Sequence, residues 1–242
     1  MHSPLPVYLF TDFGWAGPYV GQLCVALQRV DARLSVTHLM HDAPAMRPDL
    51  AAYLLPAVCA RLPQGLVLAV VDPGVGGDRE ALIVETPRLT YVGPDNGLLA
   101  KVGDIRAASR ITWRPQALSA SFHGRDIFAP VAARLACGED VAGEPIPADA
   151  LVGADWPVDL ARVVYIDGYG NAMTGVGADR LSPERVLVLG KRVVRFAETF
   201  CRAEDDTPFW YRNSQGLVEI AIKGGSAARR IDLALGTSFL ID

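Results

Sequence analysis

Hydrophobic residues in the first 140 positions form short, mainly apolar runs that alternate with longer stretches at helical spacing. The stretches 7–10, 34–39 and 66–71 predict strands, and every position of 66–71 is apolar. An unbroken apolar run is typical of a strand covered on both faces of a parallel sheet. Apolar residues recur at helical spacing from Val20 to Val30 and again over 48–62, which predicts two helices. Two strand–helix–strand units in succession predict a doubly wound α/β domain.

A third helix is predicted directly after Phe122-His123-Gly124-Arg125. Its apolar residues recur from Phe128 to Leu135, and Asp126 stands where a carboxylate can cap the first free amides of a helix. Ahead of this helix, the extended runs 81–85 and 89–92 predict two further strands.

The pattern changes near residue 140. The stretch 138–159 is rich in proline and scattered acidic residues and shows no sustained periodicity, which predicts a linker. Beyond it the helical spacing gives way to short strand-like runs separated by turns. We therefore predict an N-terminal α/β domain over 1–140, a linker over 141–159 and a smaller C-terminal β domain over 160–242.

Composition limits the classes of function. The chain of 242 residues is half hydrophobic and carries a formal net charge of −4 from well-mixed acids and bases. It has no basic stripe of the kind that nucleic-acid binders present, and we interpret Arg229-Arg230 as a solvated helix face. No apolar stretch approaches the roughly 18 residues of a membrane helix. The four cysteines form no Cys-x-x-Cys pair and the N-terminus shows no secretory pattern, so we expect a reduced, cytoplasmic protein.

Three polar residues stand where an α/β sheet binds ligands. Asp12 follows the first predicted strand, Asp72 follows the third, and His123 precedes the third helix. Ligands of open α/β sheets bind beyond the carboxyl ends of the strands. We therefore expect these side chains to lie at one edge of the sheet and to contribute to a functional site.

The segment Asp72-Pro73-Gly74-Val75-Gly76-Gly77-Asp78-Arg79 follows the most apolar predicted strand. Its glycines allow a sharp turn or the close approach of a ligand. Arg79 occupies the third glycine position of a dinucleotide fingerprint, and no Gly-Lys-Ser/Thr follows as in a phosphate loop. A tight turn in which Asp72 caps backbone amides is the structural alternative to a functional loop.

The histidines allow both structural and functional interpretations. His123 beside Gly124 is, by itself, also typical of a hydrogen-bonding residue at a helix start. His38 and His41 are three residues apart with Asp42 beside them, which could suggest a metal site. Zinc sites need three or four convergent ligands, and no further ligand pair is evident, so we expect no metal.

Two polar loops occur in the second half of the chain. They read Asp167-Gly168-Tyr169-Gly170-Asn171 and Asn213-Ser214-Gln215-Gly216. A tyrosine between glycines can offer a flat, accessible face, and an asparagine can both donate and accept hydrogen bonds at the edge of a base. Each loop taken singly is also typical of an ordinary turn.

The combination of these segments is more specific than its parts. The following motifs occur in one order along the chain: Thr11-Asp12-Phe13-Gly14, Ala69-Val70-Val71-Asp72-Pro73-Gly74-Val75-Gly76, Val92-Gly93-Pro94-Asp95-Asn96-Gly97, Phe122-His123-Gly124-Arg125-Asp126-Ile127-Phe128-Ala129-Pro130 and Asp167-Gly168-Tyr169-Gly170-Asn171. In this order they resemble the S-adenosylmethionine (SAM) hydroxide adenosyltransferase family, the SAM hydrolases, which are related to the fluorinase and chlorinase enzymes. The resemblance extends from about Val7 to about Ala228.

The resemblance implies an N-terminal α/β domain, a C-terminal β-barrel-like domain and a homotrimer with SAM held between neighbouring subunits. It implies hydrolysis of SAM to adenosine and L-methionine, with SAM as the substrate and no separate cofactor. The hallmark Asp, Arg and His of the hydrolases match Asp72, Arg79 and His123, with the seven-residue spacing from Asp to Arg. The halogenases lack this set and carry an extra loop, for which 96–122 leaves no room.

The resemblance also implies contacts with the ligand. Asp12 matches the aspartate that holds the ribose hydroxyls, Tyr169 an aromatic residue that stacks on adenine, and Asn171 an asparagine that reads the adenine edge. Asp167 and Ser214 match positions that hold the ammonium and carboxylate groups of the methionine moiety. We add Asn213, which precedes Ser214, to these candidate substrate contacts.

Our mechanistic hypothesis is an in-line attack of water or hydroxide on C5′ of SAM, with methionine as the leaving group. Arg79 cannot act as the base because its guanidinium stays protonated. We assign Arg79 to hold the water and favour its deprotonation, and Asp72 or His123 to accept the proton. The alternatives are a SAM- or adenosine-binding protein without turnover and, third, a halide-using enzyme of the same fold.

Overall fold

The computed structural model describes residues 3–242 and consists of two compact units. The first unit extends to Trp156, and the second spans Pro157–Asp242. The first unit combines a sheet with helices, and the second consists mainly of strands. The predicted fold class, an α/β domain followed by a smaller β domain, is confirmed.

The first unit is built on a seven-stranded sheet in the order β2-β1-β3-β5-β4-β6-β7. Its strands are β1 (Val7–Thr11), β2 (Val36–Met40), β3 (Gly65–Val70), β4 (Ala81–Glu85), β5 (Leu89–Pro94), β6 (Ala107–Ile111) and β7 (Gly143–Pro145). Strands β2, β1, β3 and β5 are parallel, whereas β4, β6 and β7 add antiparallel pairings. The carboxyl ends of β1, β2 and β3 therefore lie at one edge of the sheet.

Three helices belong to this sheet: α1 (Tyr19–Val30), α2 (Pro48–Cys59) and α3 (Ala129–Ala136). Val7 and Leu9 of β1 share a buried cluster with side chains of α1 and α3. Tyr8 and Phe10, which point to the opposite face of β1, are also buried. Because the strand order reverses after β2, right-handed crossovers place α1 and α2 on opposite faces of the sheet.

The predicted role of Asp126 as a helix cap is wrong. A π-helical turn, Gly124–Phe128, leads into α3, and His123 before it already has helical backbone angles. Asp126 therefore lies inside this turn instead of before it. Its carboxylate accepts hydrogen bonds from the Ser119 amide at 2.8 Å and from the Arg125 guanidinium.

Much of the segment predicted as a linker over 141–159 packs on the first unit. Strand β7 pairs antiparallel with β6 at the edge of the sheet, where a proline such as Pro145 is tolerated. Lys101 Nζ donates a hydrogen bond to the carbonyl oxygen of Trp156 at 2.5 Å. The indole of Trp156 lies so close to Gly97 that a Cβ there would fall 2.2 Å from the ring. This segment of irregular composition therefore contains an edge strand and a tryptophan that anchors it to the first unit.

The second unit is a seven-stranded sheet in the order β14-β10-β11-β12-β13-β9-β8. Its elements are β8 (Leu160–Ile166), β9 (Ala172–Gly177), β10 (Leu187–Leu189), β11 (Arg192–Phe196), β12 (Pro208–Arg212), β13 (Leu217–Ile222), α4 (Ala227–Arg230) and β14 (Leu240–Ile241). Val163 of β8 exchanges backbone hydrogen bonds with Gly236 and Thr237, shortly before β14. The two ends of the sheet therefore nearly meet, and the expected barrel-like form is confirmed.

A buried histidine links the loops that follow β1 and β2. The side chain of His41 is fully buried, and its Nδ1 shares a 2.7 Å hydrogen bond with Thr11 Oγ1. Its Nε2 shares a second 2.7 Å hydrogen bond with Nδ1 of His38. Burial, followed by the neighbouring His38, lowers the pKa of His41 to about 4, against an opposing effect of Asp42.

Two further expectations from the sequence concern membrane-spanning helices and the state of the cysteines. Between residues 3 and 242, the structure contains no helix with both the length and the apolarity needed to cross a bilayer. Cys24, Cys59, Cys137 and Cys201 are all free thiols.

We predict that Gly76→Ala destabilises the protein by roughly 2 kcal/mol or more. Gly76 has φ of +82°, and a Cβ there would lie 2.3 Å from the carbonyl oxygen of Ala120. Gly74→Ala in the same loop is the matched control, because its Cβ would meet only Arg79 Cγ at 3.8 Å. Urea unfolding of both variants measures the difference. Equal stabilities would contradict the close packing of Gly76 against the backbone of Ala120.

We predict that His41 makes the free energy of unfolding decrease as the pH is lowered from about 6.5 to about 4. An unfolded histidine binds a proton near pH 6.5, whereas the folded one does so only near 4, so acid favours the unfolded chain in this window. The effect can reach ~3 kcal/mol. His41→Phe should flatten this dependence in urea unfolding measured across the window. An unchanged slope would show that His41 is not a buried neutral imidazole.

Candidate active site

An ion pair joins the two ends of the glycine-rich loop between β3 and β4. The Arg79 guanidinium donates from Nε to both Asp72 oxygens at 3.0 and 3.1 Å, and from Nη2 to Oδ2 at 2.5 Å. The side chains of Arg79 and Asp72 are only 11% and 5% exposed. Asn96 donates a 2.9 Å hydrogen bond to the carbonyl oxygen of Val71 and so fixes the chain next to Asp72. The structure favours this ion pair over the turn-capping alternative for Asp72.

His123 is joined to the same guanidinium. Arg79 Nη2 lies 2.9 Å from Nδ1 of His123, which is 9% exposed. Because a guanidinium can only donate hydrogen bonds, Nδ1 is the acceptor, and the neutral ring carries its proton on Nε2. Burial lowers the pKa of His123, and the charge of Arg79 lowers it further, with weaker opposing effects of Asp72 and Asp126. His123 is therefore a neutral imidazole with an Nε2–H donor.

Asp72 and His123 line a cavity of about 170 Å³ at the carboxyl edge of the sheet. Arg79 is not among the lining residues, and its guanidinium carbon lies 5.1 Å from the centre of the Phe128 ring. The apolar part of the lining is formed by Phe13, Met46, Val70, Pro73, Val75 and Phe122. The three side chains predicted from distant positions are thus brought together, two of them facing one largely apolar space.

Asp12 lies in the wall of the same cavity. Its Oδ2 accepts a 2.9 Å hydrogen bond from the backbone amide of Met46, which has φ of +56°. Burial raises the pKa of Asp12, and the charge of Asp72 adds to this effect, whereas the Met46 amide opposes it. The sequence indicated Asp12 but missed Met46, Phe13 and Phe122 as lining residues, since nothing local marks an apolar residue as part of a cavity.

The second unit has its own cavity of about 670 Å³. Asp167, Tyr169 and Asn171 line it, together with Phe200, Tyr211, Ile222, Gly224, Gly225, Ser226 and Arg229. The Tyr169 side chain is 82% exposed and presents its ring to ligands. Gly170, with φ of +86°, leaves no room for a side chain because a Cβ would lie 2.0 Å from Ser226 Oγ. This glycine lets the loop turn tightly below the tyrosine.

Asp167 holds this loop in shape. Its Oδ1 accepts hydrogen bonds from the amides of Tyr169 at 2.9 Å and Asn171 at 2.8 Å. Its Oδ2 accepts a 3.1 Å hydrogen bond from Nδ2 of Asn171. Within residues 3–242, these hydrogen bonds of Asn171 involve its two nitrogen atoms, so its side-chain carbonyl oxygen can accept from a ligand, and Oδ2 of Asp167 has remaining acceptor capacity.

Asn213 and Ser214 are not among the residues that line this cavity. The Asn213 side chain accepts hydrogen bonds from the amides of Gln215 and Leu217 and donates to Glu219 at 2.7 Å, so it supports the turn that carries the exposed Ser214. Arg229, by contrast, lines the cavity and is exposed on the short helix α4, in agreement with its interpretation as part of a solvated helix face. Tyr211, Phe200 and Arg229 lacked any motif that could have marked them in the sequence.

The His38–His41 pair is committed to hydrogen bonds. Both nitrogens of His41 are engaged, by Thr11 and by His38, so neither can ligate a metal without breaking one of these hydrogen bonds. Among residues 3–242, no three His, Cys, Asp or Glu side chains form a group that could hold a metal ion.

Two family models match the chain. The model described as the SAM hydroxide adenosyltransferase N-terminal domain covers residues 7–143, and that of the corresponding C-terminal domain covers 161–239. The chain is 36% identical to an (R)-S-adenosyl-L-methionine hydrolase of Thermus thermophilus, covering 96% of this chain and 97% of the relative. It is 36% identical to a protein of the same name from Salinispora arenicola, covering 90% of both chains.

Solved structures share the fold. A crystal structure of an uncharacterized conserved protein from Thermotoga maritima matches with a TM-score of 0.86 and 25% identity, covering 98% of this chain and 100% of the other. A conserved hypothetical protein from Thermus thermophilus matches with a TM-score of 0.80 and 34% identity over the same shares. The ordered motifs, both family models and the nearly full-length relatives agree, and this chain belongs to the SAM hydroxide adenosyltransferase family.

Proposed function

We propose that this chain is an enzyme that hydrolyses S-adenosyl-L-methionine to adenosine and L-methionine, with Asp72, Arg79 and His123 as its catalytic side chains. The observation that carries the proposal is that the Arg79 guanidinium binds both Asp72 and His123, which line a small cavity. The relatives that bear the name of this activity cover nearly the whole chain. SAM is the substrate, and the reaction needs no separate cofactor.

The reaction is an in-line substitution at C5′ of the ribose. The water oxygen forms a bond to C5′ while the C5′–S bond breaks, and its electron pair stays on sulfur, so that the sulfonium departs as neutral methionine. The water proton passes to a base. A hydroxide that approaches a cation loses charge separation as the bond forms, so a cavity with apolar walls favours the reaction. Positioning the reactants can supply ~7–11 kcal/mol.

The hydrogen bonds divide the roles of the three side chains. Arg79 stays protonated and fixes both partners. His123 uses Nδ1 to accept from Arg79, so its Nε2–H is a donor that orients the water oxygen. A protonated Nε2 cannot accept the proton of the water, which makes the Asp72 carboxylate the proton acceptor.

The proposed substrate contacts come from residues that line the two cavities and from Ser214, which lines neither of them. Asp12, beside the catalytic pair, accepts hydrogen bonds from the ribose hydroxyls. The exposed Tyr169 stacks on adenine, and the free carbonyl oxygen of Asn171 accepts from the adenine edge. Asp167 and Ser214 hold the ammonium and carboxylate groups of the methionine moiety, and Asn213 supports the Ser214 turn.

We further propose a cytoplasmic homotrimer in which each site combines the first unit of one subunit with the second unit of its neighbour. Each unit carries its own cavity, one with the proposed catalytic residues and one with the proposed adenine contacts. A site shared between subunits unites both sets without requiring the two units of one chain to meet.

We predict that the protein incubated with SAM releases adenosine and methionine, detected by liquid chromatography. Asp72→Asn and His123→Ala should lower kcat about 10²–10⁴-fold. The dissociation constant for adenosine should change little, because neither side chain is assigned to hold it. Asp78→Asn is the matched control: this exposed carboxylate lies in the same loop and should leave turnover unchanged.

Small, equal effects of these substitutions on turnover and binding would contradict the catalytic assignment. Binding of SAM with no product after hours would indicate a binding protein. A 5′-halogenated adenosine formed on addition of chloride or fluoride would indicate a halogenase.

We predict that two impaired variants, assayed at a SAM concentration below the wild-type KM, restore part of the activity when their subunits assemble together. Asp72→Asn impairs the first unit and Asn171→Ala the second, so co-expression should form some sites with both halves intact, about a quarter of all sites in a randomly mixed trimer. If each site lay within one chain, co-expression would restore nothing. Sedimentation of the wild-type protein gives the subunit number independently.

A further inference from the structure

A network of hydrogen bonds ties together the loop after β1 and the loop after β2. The Gly14 amide donates to the carbonyl oxygen of His41 at 2.6 Å, and the Ala43 amide donates to that of Thr11 at 3.1 Å. The Met46 amide, in the second loop, also donates to the Asp12 carboxylate of the first loop at 2.9 Å. The position of Asp12 is therefore coupled to the position of the second loop.

The side chains of Thr11 and His41 lie at the centre of this network. Both are fully buried, and Thr11 Oγ1 shares a 2.7 Å hydrogen bond with His41 Nδ1. Thr11 Oγ1 also accepts a 3.3 Å hydrogen bond from the Phe13 amide, and His41 Nε2 is engaged by His38. The ring of Trp15 lies against His41 edge to face, with the centroids 4.5 Å apart. Thr11 and the Gly14–His41 hydrogen bond thus fix the backbone on either side of Asp12 and Phe13, which line the cavity.

We propose that Thr11 and His41 form a buried clasp whose function is to hold Asp12 and Phe13 in place for the ribose of the substrate. The two are positioning residues, and their assignment rests on the proposed function. Asp72, Arg79 and His123 stand on other segments, after β3, before β4 and before α3. Loss of the clasp should therefore weaken substrate binding more than it slows the chemical step.

The test uses Thr11→Val, which removes the hydroxyl group and keeps the shape, and His41→Phe, which keeps a ring without nitrogens. Each should raise KM for SAM and the dissociation constant for adenosine about tenfold, with kcat within about threefold, as expected when uniform binding is lost. Thr11→Ser retains the hydroxyl and should restore wild-type KM.

Thr174→Val is the matched control. Thr174 is also fully buried, donates to the carbonyl oxygen of Val218 at 2.8 Å and accepts from the Val176 amide at 3.3 Å. It should lower the melting temperature as Thr11→Val does and leave KM unchanged. An equal rise of KM in both variants would reduce the clasp to a general effect on stability and overturn the proposal.

A second comparison asks whether the clasp acts through Asp12. In an Asp12→Ala background, Thr11→Val should cause little further rise of KM, because the carboxylate through which the clasp mainly acts on the ribose is already absent. A full additional tenfold rise would overturn the assignment.

Hydrogen–deuterium exchange separates this proposal from the proposed function. Thr11→Val should speed exchange in peptides covering 11–16 and 41–46, and not in peptides of β13. Unchanged exchange would overturn the clasp even in an active enzyme, and faster exchange with unchanged binding would overturn its positioning role. A wild-type protein that releases no adenosine would instead contradict the proposed function, while the exchange data would still decide whether the clasp exists.

Discussion

The hydrogen bonds of one buried guanidinium organise the candidate active site. Arg79 engages both oxygens of Asp72 and the Nδ1 atom of His123, and so joins the loop after β3 to the start of the π-helical turn. A buried guanidinium without an acceptor is costly, and here the carboxylate and the imidazole both satisfy it. In the proposed mechanism the same bonds divide the roles, because they make Nδ1 of His123 an acceptor, place its donor at Nε2 and leave the Asp72 carboxylate to accept the proton.

The parallel part of the sheet determines where this arrangement can form. Strands β1, β2 and β3 end at one edge, so the loops that carry Asp12, His41 and Asp72 lie beside one another. The Thr11–His41 hydrogen bond and the Met46 amide tie the first two of these loops to each other, whereas the Asn96 side chain holds the third. The residues proposed for catalysis and the residue proposed to hold the ribose are thereby supported by different hydrogen bonds, so that binding and chemistry should respond to different substitutions.

Local patterns predicted most of the strands, the fold class and the positions of Asp12, Asp72 and His123, because buried strands and glycine-rich loops leave regular marks in a sequence. The assignment of Arg79 to the same site came from the resemblance to the family. They failed where the outcome depends on distant partners. Asp126 resembles a cap only if the helix begins after it, whereas the π-helical turn already begins at Gly124. The edge strand β7 and the anchor Trp156 read as a linker because their partners lie 32 and more residues away. The Thr11–His41 hydrogen bond is invisible for the same reason.

The protonation state of His123 is the most direct measure of this account. Nitrogen-15 NMR of the histidine rings across a pH range, with His123→Gln to assign the resonance, reports both the tautomer and the pKa. We expect His123 to remain a neutral Nε2–H imidazole with a pKa below that of an ordinary histidine, and Arg79→Met to abolish this pattern. A proton on Nδ1, or a raised pKa, would contradict the arrangement around Arg79 from which the proposed mechanism follows.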